Sequence, residues 1–309
     1  MPTDSYEITA NAKINLFLKV KGTLENGYHS LYTVMQEISC SDQLTVNIDP
    51  SRKGFKIRCI GRDDIDPKKN LCRKAADRFF SNYKKLQDKK YTPPFIEIEL
   101  VKNIPSESGM GGGSSDAAAI LMVLQEHYGN PFDEEKLLQI AVNVGADVPF
   151  FLYGGTSLCE RVGEAITPVA SLSGLGLLIA KPNCGVSTPE CFALIDREPA
   201  KAFDQKAYSD YIESLKAPSK DPSEKLSKIL AGGGLLVNDL ESPAEKLVPE
   251  IEAIRKALME TGSKYCRMTG SGSAVFALFE SIEEAAAAKE KARSHPVLSK
   301  CNLILSETV

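Results

Sequence analysis

The chain has 309 residues, 43% hydrophobic and 25% charged, which is the composition of an ordinary folded protein long enough for two domains. Its net charge of −4 excludes the strongly basic surface of a protein that mainly binds nucleic acid. No apolar run reaches the ~20 residues that a membrane helix needs. The N-terminus lacks the features of a signal peptide, so we expect a cytoplasmic protein.

Cysteine and histidine usage argues against a metal centre built from side chains. The eight cysteines are scattered without a Cys-x-x-Cys pair, so we expect buried free thiols rather than a zinc or redox site. Three histidines are too few for a cage of several histidines. The sequence therefore assigns no metal ligand.

Hydrophobic periodicity predicts alternating strands and helices along the chain. Strands are expected at 13–20, 31–38, 43–48, 55–60, 95–101, 175–180, 264–269, 274–280 and 302–305. Helices are expected over 71–85, 115–128, 243–261 and 281–294, and from Asp133 onward. The polar region 196–228 has no assigned role. This pattern indicates an α+β protein with two domains, 1–160 and 161–309.

A glycine-rich segment, Gly109–Ser115, lies between a predicted strand and a predicted helix. Glycines allow positive φ and close approach of a ligand, and the helix N-terminus favours an anion, so the segment is typical of a phosphate-binding loop. Ser114 breaks the dinucleotide fingerprint, and no lysine follows as in a Walker A loop. A flexible linker is the alternative. The turn at 270–273 is either a hairpin turn or a second phosphate-binding turn.

Other polar side chains stand in segments that are otherwise apolar. Lys13 and Asn15 share one face of a predicted strand, which is either solvated or part of a site. Asp147 is either a turn residue or a functional carboxylate in a dry pocket. Tyr28 and His29 form either a packed hairpin end or a platform for a planar base. Each choice stays open on these segments alone.

Taken together and in this order, the segments resemble the GHMP kinase superfamily across nearly the whole chain. The matching motifs are Ala12-Lys13-Ile14-Asn15-Leu16, Gly27-Tyr28-His29, Asn70-Leu71, Ile104-Pro105 through Gly109 to Ala118, Gly145-Ala146-Asp147-Val148-Pro149-Phe150 and Thr269-Gly270-Ser271-Gly272. The glycine loop identifies only the superfamily. The motifs around Lys13, His29 and Asp147 are specific for the branch whose substrate is a methylerythritol carrying cytidine diphosphate.

The resemblance implies a ribosomal-S5-like N-terminal domain and a ferredoxin-like C-terminal domain, with the active site in a cleft between the halves. It implies transfer of the γ-phosphate of ATP, bound with Mg²⁺, to the tertiary 2-hydroxyl of that substrate, a step of the non-mevalonate isoprenoid route. The expected partner is this small molecule, with no nucleic acid or membrane, and the chain is expected to be a monomer or homodimer.

Three alternatives to this activity remain. The first is a homoserine, mevalonate or sugar kinase of the same superfamily, and the second is a diphosphomevalonate decarboxylase. The third is a nucleotide-binding regulatory module without catalysis.

The resemblance also implies residue roles. Asp147 matches the general base, and Lys13 matches the lysine that orients and electrostatically supports the hydroxyl. The substrate site matches Asn15, Tyr28, His29, Thr188, Pro189 and Phe192, with Tyr28 and Phe192 as stacking rings. The ATP site matches Asn70, Lys102, Pro105, Ser106, Glu107, Ser108, Gly109, Met110, Gly111, Gly112, Gly113, Ser114 and Ser115. The segment 106–108 departs from the family, in which glycine is frequent there.

Overall fold

A computed structural model describes residues 3–25, 27–61, 70–87, 91–197, 202–219 and 221–309. Contacts divide the chain into two compact units. Unit 1 comprises the described residues of Met1–Ala12, Ser41–Ile104 and Gly111–Tyr153, and unit 2 those of Lys13–Cys40, Pro105–Met110 and Gly154–Val309. The division into domains 1–160 and 161–309 stays a prediction, because these units are defined by contacts and interleave along the chain.

The strands and helices alternate as expected for an α+β protein. The strands are β1 (Asp4–Thr23), β2 (His29–Asp49), β3 (Gly54–Ile60), β4 (Phe95–Val101), β5 (Thr156–Arg161), β6 (Ala165–Pro168), β7 (Gly176–Lys181), β8 (Tyr265–Met268), β9 (Val275–Phe279) and β10 (Asn302–Glu307). The α-helices are α1 (Leu71–Leu86), α2 (Gly112–His127), α3 (Glu134–Val142), α4 (Phe150–Tyr153), α5 (Thr188–Ile195), α6 (Gln205–Lys216), α7 (Pro222–Ala231), α8 (Glu241–Leu247), α9 (Glu250–Glu260) and α10 (Ile282–Ser294). Two short 3₁₀ turns occupy Gly233–Leu235 and Leu298–Lys300.

In unit 1, strand β4 pairs in parallel with β3 and antiparallel with the second half of β2. The alternation in β4 has the expected consequence, since Ile96, Ile98 and Leu100 are buried. On the other face Glu97 and Glu99 form ion pairs with basic residues of β3. Helices α1 and α2 pack together, and the Ala-rich segment of α2 is almost wholly buried. This packing fixes the start of α2 beside the end of β4.

In unit 2, a four-stranded antiparallel sheet has the order β10-β7-β9-β8. Strand β7 is buried along its whole length, and helices α9 and α10 pack on this sheet. The first half of β2 pairs with β5, which pairs with β6. Unit 2 also contains helix α5, which carries the predicted substrate residues Thr188, Pro189 and Phe192.

Three predicted elements are joined or divided in the structure. The strands expected at 31–38 and 43–48 are parts of the single long strand β2. The helix expected over 243–261 is interrupted between α8 and α9, because Pro249 disfavours a helical conformation at the preceding residue. Val248 is accordingly extended, with φ −137° and ψ 85°.

The polar region 196–228 contributes helices α6 and α7, apart from the residues that the structure does not describe. Across the described ranges, no helix is both long and apolar enough to cross a membrane.

Candidate functional site

From Gly111 onward, the glycine segment forms the N-terminus of α2 in unit 1. Gly111 is the N-cap residue, with φ 75° and no side-chain cap, so the first backbone N–H groups of the helix lack a capping side chain. A Cβ atom on Gly112 would lie 2.9 Å from the Ile104 side chain and 3.2 Å from the Lys102 ammonium. Glycine is therefore required there for packing. The uncapped N–H groups can bind a phosphate oxygen.

Beneath this helix start, the Lys102 ammonium lies between two carboxylates. It donates hydrogen bonds to Asp116 Oδ2, at 2.7 Å, and to Asp42 Oδ2. Asp42 Oδ1 also accepts from the backbone N–H groups of Asn103 and Ile104. The Lys102 side chain is only 6% exposed. Its predicted contact with adenosine stays a prediction, and the structure shows instead an ion-pair network under the loop.

The ionisation of this network follows from burial and charge. Burial lowers the pKa of Lys102, but the adjacent carboxylates of Asp116 and Asp42 outweigh it and raise that pKa overall. Burial raises the pKa of Asp116, and the neighbouring Lys102 offsets this only in part. Asp116 Oδ1 is buried and has no hydrogen-bond partner among the described residues. The network keeps a cation below the helix, and burial makes the Asp116 carboxyl hold its proton more tightly than an exposed carboxyl does.

Asn70 and Asp147 flank the same helix start in unit 1. The Asn70 side chain caps α1 by accepting a hydrogen bond from the N–H of Cys72 at 2.9 Å. The side chain of Leu71, the next residue, lies 3.8 Å from the position that a Cβ atom on Gly113 would take. Ser114 Oγ lies 3.8 Å from the position that a Cβ atom on Gly145 would take. Asp147 lies half-buried in the turn that follows Gly145. The starts of α1 and α2 and the turn of Asp147 are thus close neighbours.

In unit 2, the ammonium of Lys13 is held inside the protein. The residue is 2% exposed, and its Nζ donates to Asn15 Oδ1 at 2.7 Å and to the carbonyl oxygen of Gly109 at 2.8 Å. Its backbone N–H donates to the carbonyl of Met110 at 3.0 Å. Asn15 is itself buried and donates from Nδ2 to Thr33 Oγ1. The predicted pair Lys13 and Asn15 is therefore a connected unit on one strand.

The segment 105–110 lies against the second glycine turn. The N–H groups of Ser273 and Ala274 donate to the carbonyls of Glu107 and Ser108. A Cβ on Gly109, where φ is 75°, would lie 2.0 Å from the carbonyl oxygen of Thr269. The turn at 270–273 is therefore more than a hairpin connection, because it supports the backbone of the predicted phosphate loop.

The predicted substrate residues in unit 2 form an aromatic group near the start of β2. The rings of His29 and Phe192 stack with centroids 4.4 Å apart and planes at 20°. Tyr28 precedes His29 and is 60% exposed. Thr188 Oγ1 hydrogen-bonds to Ser271 Oγ at 2.7 Å, so α5 links the glycine turn to this group, and Pro189 is exposed in its first turn.

Sequence reasoning missed the acidic partners of these residues. Asp42 and Asp116 bind Lys102, and Asp196 binds His29. Asp116 directly follows the glycine motif on an Ala-rich helix, so a charged residue at an otherwise apolar position was a usable signal. Asp196 lies 167 residues from His29 in a polar segment, and no sequence pattern connects them.

Asn238 was also missed. Its Nδ2 donates to the carbonyls of Met268 and Gly270 and so supports the second glycine turn. In the portion of the chain that the structure describes, no group of three or more His, Cys, Asp or Glu side chains could hold a metal ion.

Comparison with known proteins identifies the family. The model described as "GHMP kinases N terminal domain" matches residues 70–155, and "GHMP kinases C terminal" matches residues 211–298. A protein of Clostridium kluyveri named 4-diphosphocytidyl-2-C-methyl-D-erythritol kinase is 35% identical over 93% of this chain and 95% of its own length. One of Polaromonas naphthalenivorans with the same name is 37% identical over 91% of this chain and 89% of its own length.

Solved structures agree with this result. A crystal structure of 4-(cytidine 5'-diphospho)-2C-methyl-D-erythritol kinase has a TM-score of 0.72 and 31% identity, covering 98% of this chain and all of its own. Homoserine kinase from Cytophaga hutchinsonii has a TM-score of 0.71 at 20% identity, with 99% and 95% of the two chains covered, which indicates a shared fold alone. The predicted α+β GHMP kinase fold is confirmed. The chain belongs to the GHMP kinase family and is a small-molecule kinase.

Proposed function

We propose that this kinase transfers the γ-phosphate of ATP to the 2-hydroxyl of 4-diphosphocytidyl-2-C-methyl-D-erythritol, in the non-mevalonate route to isoprenoids. The observation that carries the choice of substrate is the stacked pair of His29 and Phe192, with the exposed Tyr28 directly before His29 in the chain. Flat rings of this kind stack on a nucleobase. Homoserine, mevalonate and sugars have no aromatic ring for such a group to bind. The names of the relatives favour the same substrate.

The nucleotide half of the reaction rests on the loop 105–115. The uncapped N–H groups at the start of α2 and the required glycine at position 112 fit the triphosphate of ATP. Mg²⁺ would accompany ATP through the phosphate oxygens. We assign no residue of this chain as a ligand of the metal.

The transfer forms one phosphorus–oxygen bond and breaks another. The 2-hydroxyl oxygen attacks the γ-phosphorus, the bond from this phosphorus to the β–γ bridging oxygen breaks, and ADP leaves. The Asp147 carboxylate accepts the hydroxyl proton, and the Lys13 ammonium supports the negative charge that develops on the oxygen. Hydrogen bonds to Asn15 and Gly109 already fix the direction of that ammonium. We include in the proposal a cytoplasmic location, a boundary between two domains near residue 160, and a monomeric or homodimeric state.

A panel assay tests the function. Purified protein is incubated with Mg²⁺-ATP and each of 4-diphosphocytidyl-2-C-methyl-D-erythritol, homoserine, mevalonate and galactose, and ADP release and phosphorylated product are measured. We expect turnover with the cytidyl substrate at a kcat/KM at least about 10³-fold above the others, because the others cannot use the stacking group. Comparable turnover of homoserine or mevalonate would support another GHMP kinase. No turnover of any substrate, with ATP bound, would support a regulatory module.

A further inference from the structure

His29 is held in place by a carboxylate that the sequence did not connect to it. Its Nε2 lies 2.8 Å from Oδ1 of Asp196, the residue that ends helix α5. The imidazole is 11% exposed, whereas the carboxylate is 49% exposed. Thr23 Oγ1 also lies 3.4 Å from the same carboxylate oxygen. The contact therefore joins the start of β2 to the end of α5 within unit 2.

Helix α5 constrains the imidazole in a second way. Phe192 lies one helical turn before Asp196, so both side chains project from the same face of the helix. Its ring stacks on His29 with centroids 4.4 Å apart and planes at 20°. Stacking fixes the plane of the imidazole, and the carboxylate fixes its rotation within that plane. The orientation of the two ring nitrogens is thus determined by one helix.

The same contact determines which ring nitrogen faces a hydrogen-bond acceptor. An ionised carboxylate can only accept hydrogen bonds, so Nε2 of His29 carries the proton in this pair. In a neutral imidazole the other nitrogen, Nδ1, is then an acceptor. Nδ1 has no hydrogen-bond partner within the ranges that the structure describes. The His29 ring thus offers an oriented acceptor at the residue that follows the exposed Tyr28.

We propose that Asp196 is a positioning residue that sets the His29 tautomer and thereby selects cytosine over uracil. This inference rests on the proposed function. Cytosine carries an amine at C4, which donates to an acceptor such as Nδ1, whereas uracil carries a carbonyl oxygen at the same position. A uracil ring in the same place would bring its C4 carbonyl oxygen against Nδ1 of His29, and neither atom could donate a hydrogen bond to the other. We expect a preference of about 10- to 100-fold for the cytidine compound, the usual consequence of one lost and unsatisfied hydrogen bond.

The test compares binding of CDP and UDP to the full-length protein by calorimetry. Saturating non-hydrolysable ATP analogue is included, so that the ATP site is occupied. The variant is Asp196→Asn, whose amide can donate as well as accept and so no longer dictates the tautomer. The matched control is Asp210→Asn, which removes an exposed carboxylate from helix α6. We expect the variant to lose about tenfold of the CDP-over-UDP preference, and the control to keep it.

A second measurement reads the tautomer directly in the wild-type protein. Long-range ¹H–¹⁵N NMR distinguishes the two nitrogens of each ring, and the chain has only three histidines to assign. We expect His29 to be protonated at Nε2 and unprotonated at Nδ1 when CDP is bound. A proton on Nδ1 in the wild type, in the neutral or in the charged ring, overturns the inference, even if Asp196→Asn fails to fold.

The remaining outcomes separate the two proposals. A wild type that phosphorylates the cytidyl substrate but binds CDP and UDP equally overturns the inference alone. If Asp196→Asn keeps the wild-type preference for CDP over UDP, the inference is overturned and the proposed function stands. A wild type that does not phosphorylate the cytidyl substrate overturns the proposed function and this inference with it.

Discussion

The side-chain oxygen of Asn15 accepts a hydrogen bond from the ammonium of Lys13 at 2.7 Å, and both residues are almost completely buried. Asn15 is in turn fixed by its own hydrogen bond to Thr33 Oγ1 at 2.9 Å. Asn15 was predicted to contact substrate, and that contact stays a prediction. Its observed contact makes it a positioning residue for Lys13.

Asn15→Ala should therefore lower kcat by about 10- to 100-fold, because the hydrogen bond from the Lys13 ammonium to the Asn15 side chain is lost. The KM for ATP should change little. Steady-state kinetics on the cytidyl substrate measure both values. Thr33→Ser, which keeps the supporting hydroxyl, is the matched control and should retain most activity. A raised substrate KM with wild-type kcat would favour a direct substrate contact instead.

Asp147→Asn should reduce phosphoryl transfer by about 10²- to 10⁴-fold, the usual contribution of a general base. The amide has the same shape and cannot take the proton, so ATP binding should be preserved. Turnover and calorimetric binding of an ATP analogue check the two parts. Asp77→Asn, at an exposed position on α1 in the same unit, serves as control. Near-normal turnover by Asp147→Asn would remove this residue from the mechanism.

Tyr28→Ala should raise the KM for the cytidyl substrate far more than the KM for ATP. Tyr28 is 60% exposed and directly precedes His29, and stacking of an aromatic ring on a base is worth ~1–3 kcal/mol. Tyr28→Phe keeps the aromatic face and should stay close to the wild type in both constants. Equal increases of the two KM values in Tyr28→Ala would contradict a stacking role.

Gly109→Ala should destabilise the protein and raise the KM for ATP. The new Cβ would meet the Thr269 carbonyl oxygen at 2.0 Å, in addition to the strain of φ 75°. Gly129→Ala separates these causes, because Gly129 has φ 71° and no atom within 4 Å of the Cβ position. The control should cost about 1–2 kcal/mol from backbone strain alone, and Gly109→Ala should cost more. Equal urea midpoints for the two variants would show that the contact with the Thr269 carbonyl oxygen is relieved without a loss of stability.

Asp116→Asn should change how stability depends on pH. Burial raises the pKa of Asp116 in the folded protein, so the folded state holds this proton more tightly than the unfolded chain. The stabilisation is complete below the ordinary carboxyl pKa of about 4 and is lost as pH rises through the raised folded value. The neutral amide avoids this loss, so the stability of the variant relative to the wild type should increase with pH.

Urea unfolding of the wild type and Asp116→Asn between pH 4 and pH 8 measures that difference. Asp77→Asn removes an exposed carboxylate from unit 1 and should give a difference that is nearly independent of pH. A difference between Asp116→Asn and the wild type that is flat, or falls with rising pH, would mean that Asp116 is ionised at little cost in the folded protein.

The local sequence was sufficient to predict those features that neighbouring residues determine, such as strands and the starts of helices. Alternation predicted strand β4 over its full length, and Asp133 and Ser281 cap the helices whose starts were expected there. Motif order was sufficient for the family and the α+β fold, since both depend on residue types along the chain. The break before Pro249 was also encoded locally, although the prediction missed it.

Only the tertiary structure decided which groups meet across long separations. Lys13 binds the carbonyl of Gly109 across 96 residues, and His29 binds Asp196 across 167. Such pairs depend on how strands and helices pack, and periodicity carries no record of that packing. The sequence thus determined that a lysine, a glycine loop and an aromatic pair are present. Packing decided that the lysine is buried and oriented and that a remote carboxylate holds the imidazole, because each buried polar group must find a partner wherever the fold provides one.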